Sequence, residues 1–465
     1  MRSRTVNAAV WTFFCICLGF GLFGRWESVR QVREAQPGES VNLTHDEIIV
    51  LTLGKNLADR RSHYHVQEWY ERERAAGREP PGYLARPLFK HPPMMAMLLA
   101  WVDEPGIQGT RNAFGLMFVF GLLVCAAVYG LARFFLPPVW SLVPAAIAWV
   151  DPVLWSGSVK VWLDLPLTLF CVAGVGFAWQ GRSHPAAFLG MGICFGFAFL
   201  TKYPAMAIWA AAVALLATDK SFPKGSFFVW GCVLPWLMLA PWVIWNLSVF
   251  GWSAADLEEF RHTLRVIGAQ AAGAVALTLA VGIFFWMRRG LLNPRAAGSR
   301  EAPLAGRRLF FMLFTLTLAG LFLFHSWFSG RLEPRAALGM NFFSGERAWF
   351  YLDRLLCLDP LLWPGVIALF WIRLPGPADF MRWTALAYIL VFSIWGNYQS
   401  RYIMPAVPLV CVLSAWGLFQ ISEFLRKPGA MWLEKVWLGS WVAFAAVRLC
   451  WIHQKLTLPN HFTYF

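Results

Sequence analysis

The densest run of chemistry-bearing residues is Thr44-His45-Asp46-Glu47, followed downstream by Lys90-His91-Pro92-Pro93. A carboxylate can accept a proton from an attacking hydroxyl, and a second can stabilise developing positive charge. A Lys-His pair can hold an anion such as a phosphate. Asp46 and Glu47 precede Ile48-Ile49-Val50-Leu51, which reads as the start of a helix. Adjacent helical side chains diverge by about 100°, so the two carboxylates are expected to do different jobs. The plain alternative is an ordinary helix start, capped by Thr44 or Asp46 with Glu47 in its first turn. Pro92-Pro93 fits a helix start equally well, because the missing N–H has no intrahelical partner there.

Three later positions share this polar character. Asp164 opens an apolar run as Leu163-Asp164-Leu165-Pro166, where a helix cap is the local expectation. Lys202, in Leu200-Thr201-Lys202-Tyr203-Pro204, divides a hydrophobic stretch in two. A lysine there can snorkel, or can hold an anion at a membrane surface. Arg401-Tyr402 starts another apolar run and can serve as an interfacial anchor.

The elements that must position these residues are apolar helices. Of 465 residues 58% are hydrophobic and only 14% charged, with mean hydropathy +0.52. That composition excludes an ordinary soluble core and implies an all-α polytopic membrane protein. The 27 Trp and 40 Phe fit aromatic belts at both interfaces. The net charge of +14 is spread over loops between apolar runs, where it reads as a topology signal rather than a nucleic-acid surface. None of the nine Cys makes a C-x-x-C pair, which argues against a thiolate zinc or redox site.

The run 6–23 follows a basic start, and Gly24-Arg25-Trp26 offers no small-residue cleavage site, so it is read as a retained first span with its N-terminus inside. Residues 25–111 then form a long external loop, in which 66–76 reads as a surface helix and 92–101 as an interfacial or re-entrant one. Twelve further apolar runs, at 112–135, 139–155, 165–179, 186–200, 203–217, 227–250, 267–287, 309–327, 355–372, 383–395, 402–421 and 436–452, bring the expected total to about thirteen crossings. The Arg-rich linker 287–308 falls inside, in accord with the positive-inside bias. No repeat is visible, and a single integral domain over 1–465 is expected. Asp46, Glu47, Lys90, His91, Lys160, Asp164, Lys202, Glu346, Arg347 and Arg401 are then expected on one face, the extracytoplasmic one.

The order of these landmarks resembles the GT-C membrane glycosyltransferases, in the branch of protein O-mannosyltransferases and the lipid A aminoarabinose transferase. The matching stretches are His45-Asp46-Glu47, His91-Pro92-Pro93, Leu163-Asp164-Leu165-Pro166, Leu200-Thr201-Lys202-Tyr203-Pro204 and Arg401-Tyr402-Ile403-Met404-Pro405-Ala406-Val407-Pro408. Phe350-Tyr351-Leu352 is similar to the aromatic start of a late span in that family. The aminoarabinose transferase has Lys before Pro-Pro; here His91 stands there, with Lys90 one place earlier. No large soluble domain is expected after the last span, so an oligosaccharyltransferase-like reading is the less favoured one.

The resemblance implies a GT-C-like fold with extracytoplasmic juxtamembrane helices in the inner (plasma) membrane. It implies a polyprenyl-phosphate sugar donor, an extracytoplasmic acceptor hydroxyl on a glycan, lipid or protein, and inversion at the anomeric carbon. Asp46 and Asp164 match the catalytic acidic positions, and Lys90, His91, Lys202 and Arg401 the donor-phosphate positions. Glu47, Tyr351 and Tyr402 are the substrate-contact candidates. With that many fixed cations no metal or other cofactor is expected to be obligatory, although facing carboxylates can bind a divalent ion. A lipid-linked sugar flippase or other transporter is the competing reading; it would place charges at the bilayer midplane.

Overall fold

A computed structural model describes residues 2–34, 45–59, 66–77, 92–102, 107–217, 219, 224–250, 350–371, 374–395, 399–425 and 431–456. The expected spans 267–287 and 309–327 and the whole basic linker 287–308 lie outside the described residues. So do Lys90 and His91. The chain divides into two compact units. The first comprises Met1–Gly251, Tyr351–Ile389 and Gln399–Phe465; the second comprises Trp252–Phe350 and Leu390–Tyr398. Little of the second is described, and everything below concerns the first.

Among the described residues all regular structure is helical. Helix α1 (Arg2–Glu34) is followed by three short helices, α2 (His45–Ala58), α3 (Gln67–Ala75) and α4 (Met94–Val102). Next come α5 (Ile107–Ala132), α6 (Leu142–Val150), α7 (Pro152–Ser158), α8 (Asp164–Gln180), α9 (Ala187–Thr201) and α10 (Ala205–Ala217). A π-helical turn, Phe227–Val233, leads into α11 (Leu234–Phe250). After the undescribed segment come α12 (Phe350–Leu358), α13 (Trp363–Leu369), α14 (Gly376–Trp395), α15 (Val407–Leu425) and α16 (Met431–Leu456).

Among the described residues four segments are long and apolar enough to cross a membrane: Val6–Glu27, Asn112–Ala132, Lys224–Trp245 and Val407–Leu425. Shorter apolar helices, such as Asp164–Gln180 and Ala187–Thr201, pack between them. Two of the described runs that read as single spans in the sequence are broken at an Asp-Pro pair. Residues 139–155 break at Asp151-Pro152, between α6 and α7, and 355–372 break at Asp359-Pro360, between α12 and α13. The cause is local. Proline removes a helical N–H and disfavours the helical conformation in the residue before it. Each Asp then caps the new helical turn with its carboxylate.

Packing in a bilayer draws on close contact between helices rather than on water exclusion. Residues Phe188, Phe195 and Phe199 of α9 are wholly buried, packed among α8 and α11. At Gly365 of α13 the backbone of α15 comes so close that a Cβ would collide with it; the Gly365 N–H donates to Ser414 Oγ at 2.9 Å, and Ser414 in turn donates to the Leu362 carbonyl at 3.1 Å. Gly54 does the same for α2 on α4: a Cβ there would lie 2.7 Å from Leu99 Cβ. The short apolar helix α4 therefore forms a platform under α2, the helix that carries Asp46 and Glu47.

Candidate active site

Asp46 and Glu47 occupy the first turn of α2 and diverge as helix geometry requires. The first-turn place expected for Glu47 is the one observed, the cap candidate Thr44 lies outside the described residues, and Asp46 and Glu47 each reach a distant part of the chain. Asp46 Oδ2 lies 2.5 Å from Arg401 Nη2, in the 3-10 turn Ser400–Ile403 that precedes α15. Glu47 is 1% exposed. Its Oε1 accepts the Val161 N–H at 2.9 Å, and its Oε2 lies 3.9 Å from Lys160 Nζ. Glu47 thus anchors the turn between α7 and α8 against α2.

That turn delivers Asp164 to the start of α8. The helix cap expected for Asp164 is absent, since the N-cap residue is Leu163 and makes no side-chain bond. Asp164 Oδ1 instead accepts from Lys202 Nζ at 2.8 Å. Lys202 is placed by the end of α9: it is the C-cap residue, in extended conformation, and Tyr203-Pro204 prevents the helix from continuing.

The two ion pairs meet around one aromatic ring. Lys202 Nζ lies 4.6 Å and Arg401 Cζ 5.4 Å from the centre of the Tyr402 ring. Trp162 lies similarly between cations, with Lys160 Nζ at 5.6 Å and Arg401 Cζ at 5.2 Å. Arg401 Nε also donates to Gln399 Oε1 at 2.7 Å. Burial acts to lower the pKa of Arg401, but Asp164 and Asp46 more than offset it and hold the guanidinium above its ordinary value. Three cations and three carboxylates from α2, the α7–α8 turn, the end of α9 and the start of α15 therefore share one end of the bundle.

The carboxylates differ in access. Asp46 keeps 35% of its side-chain surface and Asp164 only 3%. An incoming acceptor can reach the first, whereas the second is confined to the wall. Tyr351, at the start of α12, is fully buried, and with Tyr402 and Asp164 it lies within electrostatic range of the buried Tyr388. Tyr351 is part of the packing behind the ion pairs rather than an open surface. Among the described residues no group of three or more His, Cys, Asp or Glu side chains is placed to hold a metal ion.

Sequence reading missed Trp162, Gln399 and Tyr388. Trp162 carried a usable signal, since it lies two residues before Asp164 beside Lys160. Tyr388, inside α14, carried none.

Residues 90–245 match the family described as dolichyl-phosphate-mannose-protein mannosyltransferase, a stretch that includes Asp164 and Lys202. No curated protein matches the chain. The crystal structure of ArnT from Cupriavidus metallidurans bound to undecaprenyl phosphate superposes with TM-score 0.53 at 14% identity, covering 96% of this chain and 71% of that one. The Archaeoglobus fulgidus oligosaccharyltransferase tethered to an acceptor peptide gives TM-score 0.54 at 14% identity, over 96% of this chain and 55% of that one. The archaeal oligosaccharyltransferase AglB from the same organism, in complex with an inhibitory peptide and a dolichol-phosphate, gives 0.52 at 14%, over 96% and 56%. The chain has an all-helical fold, with helices long and apolar enough to cross a membrane, similar to that of these GT-C membrane enzymes. The mannosyltransferase family model matches about a third of the chain.

Proposed function

We propose that the protein transfers a sugar from a polyprenyl-phosphate donor to an acceptor hydroxyl, with inversion, at the end of the bundle that carries α2 and α4. In the inner membrane this end faces outward. The observation that carries the reading is the convergence of the Asp46–Arg401 and Asp164–Lys202 pairs around Tyr402.

The chemistry needs three groups in one place. The acceptor oxygen attacks the anomeric carbon as its proton passes to a base, and Asp46 is the carboxylate with open surface. The bond from the anomeric carbon to the phosphate oxygen breaks, and its electron pair leaves with the lipid phosphate. Positive charge develops at the sugar, where Asp164 can stabilise it. Negative charge develops at the phosphate, where Lys202 and Arg401 can stabilise it in a partly dehydrated site. Before the donor arrives, each cation is neutralised by its carboxylate. A bound phosphate competes for both cations and releases Asp46 to act on the acceptor. Lys90 and His91 are assigned to the same phosphate, and Tyr402 and Glu47 to the walls of the site. Fixed cations supply the charge that a metal would otherwise bring, so no metal is required. That undecaprenyl phosphate and dolichol-phosphate are bound by the two similarly folded proteins supports a lipid phosphate as the donor.

The test is binding of undecaprenyl phosphate to purified protein in nanodiscs, with Lys202→Ala and Arg401→Ala beside wild type. A charge-assisted contact is worth about 1.5–3 kcal/mol, so each substitution should weaken binding by about tenfold or more. Binding indifferent to both substitutions would remove the support for this mechanism.

A further inference from the structure

The Asp46–Arg401 pair has a third member, Gln399. Gln399 is the extended residue that opens the 3-10 turn Ser400–Ile403, at φ −118° and ψ 130°. Its carbonyl accepts the Tyr402 N–H at 2.9 Å. Its side-chain Oε1 accepts the Arg401 Nε–H at 2.7 Å. Ser400 and Ile403 are buried and hold the turn in the bundle, while Gln399 and Arg401 are only partly buried.

A guanidinium has two edges on which a carboxylate or phosphate can close with two parallel bonds: a side edge, Nε with Nη2, and an end edge, Nη1 with Nη2. Asp46 Oδ2 meets the guanidinium at Nη2, the atom common to both edges. Gln399 fills Nε. The side edge is therefore closed to Asp46 as a two-bond seat. A charge-assisted bond is about twice as strong as a neutral one, so a carboxylate that gained a second would be markedly harder to displace. The Trp162 and Tyr402 rings, centred 5.2 and 5.4 Å from Arg401 Cζ, oppose rotation of the guanidinium toward another seat.

We propose that Gln399 is a positioning residue that keeps the Asp46–Arg401 pair openable. By occupying Nε it withholds the side edge from Asp46, and so eases the exchange of that carboxylate for the donor phosphate. This role rests on the reading above, in which the phosphate takes Arg401 from Asp46. A residue that merely braced Arg401 would act in the opposite direction. Removing a brace loosens the ion pair, whereas removing Gln399 frees Nε and lets Asp46 close on two atoms.

The test is Gln399→Met, which keeps the length of the side chain and frees Nε, in the full chain in nanodiscs. The first measurement needs no lipid donor. A water-soluble carbodiimide couples glycine ethyl ester to Asp46, and the rate is read by mass spectrometry. Asp46 keeps 35% of its side-chain surface, so the reagent can reach it. In Gln399→Met the labelling should be about three- to tenfold slower than in wild type, the effect of one added charge-assisted bond at a part-exposed site. Labelling at the wild-type rate or faster overturns the proposal. The second measurement is binding of undecaprenyl phosphate. Gln399→Met should weaken it by a similar factor, and the weakening should vanish in the Asp46→Asn background, where no carboxylate remains to take the freed edge. Equal weakening in both backgrounds overturns the proposal, because Gln399 would then act without Asp46. If wild type binds no undecaprenyl phosphate, the donor reading fails, and the labelling still decides whether Gln399 keeps the pair openable.

Discussion

Replacing Glu47 separates a supporting role from a chemical one. Glu47→Ala removes the acceptor of a buried N–H, at 2.9 Å from Val161, and an unsatisfied buried donor costs about 1–3 kcal/mol. It also removes one buried methylene from a closed site, about 0.8 kcal/mol. The attraction to Lys160 at 3.9 Å is about 4 kcal/mol gross at an effective dielectric constant near 20. Taking both ions out of water offsets most of that gain. The expected net loss for Glu47→Ala is about 2–4 kcal/mol. Glu47→Gln keeps the oxygen, the shape and the Val161 bond, so its loss should be less than half as large. Thermal unfolding of the purified chain followed by tryptophan fluorescence, together with transfer rate per folded molecule, would measure both effects. The expected pattern is a marked stability loss for Ala, a small one for Gln, and substantial transfer in the Gln variant. If both variants unfold with wild type and both lose all transfer, Glu47 takes part in the chemistry and its assignment as an anchor of the α7–α8 turn is wrong.

Asp46→Asn should lower transfer by about 10²–10⁴-fold, the usual contribution of a general base. The same substitution frees Arg401 from its carboxylate, so undecaprenyl phosphate should bind at least as tightly as to wild type; transfer at the wild-type rate would exclude Asp46 as the base. Gly365→Ala should destabilise the α13–α15 contact by about 1–3 kcal/mol through overpacking, read as a lower unfolding temperature with no change in lipid binding per folded molecule. An unfolding temperature equal to wild type would mean that the two helices are not in the close contact described at Ser414.

Helical, membrane-embedded character was legible in the chain because composition and apolar run length decide it without reference to partners. The acidic and basic residues of the site were legible for a related reason. Asp46, Asp164, Lys202 and Arg401 interrupt or open apolar runs, where a charge stands out against its surroundings. The short helices were partly legible: α4 was expected as a helix too short to span, and it forms the platform under α2. The breaks at Asp151 and Asp359 were not recognised, although Asp-Pro inside an apolar run states them, because length and hydropathy average over them.

What the sequence determined alone is therefore the kind of molecule and the set of charged groups, since both follow from residue type and spacing. The partners of those groups were decided only by the tertiary structure. Asp46 and Arg401 are separated by most of the chain and joined at 2.5 Å. Asp164, which any local rule would make a helix cap, pairs with Lys202 instead. Glu47 differs from Asp46 by one position, yet the rotation of a helix sends it inward to Val161 while its neighbour keeps an open face. Such pairings depend on how separate helices pack, and no spacing along the chain encodes the direction in which a side chain meets a helix from elsewhere.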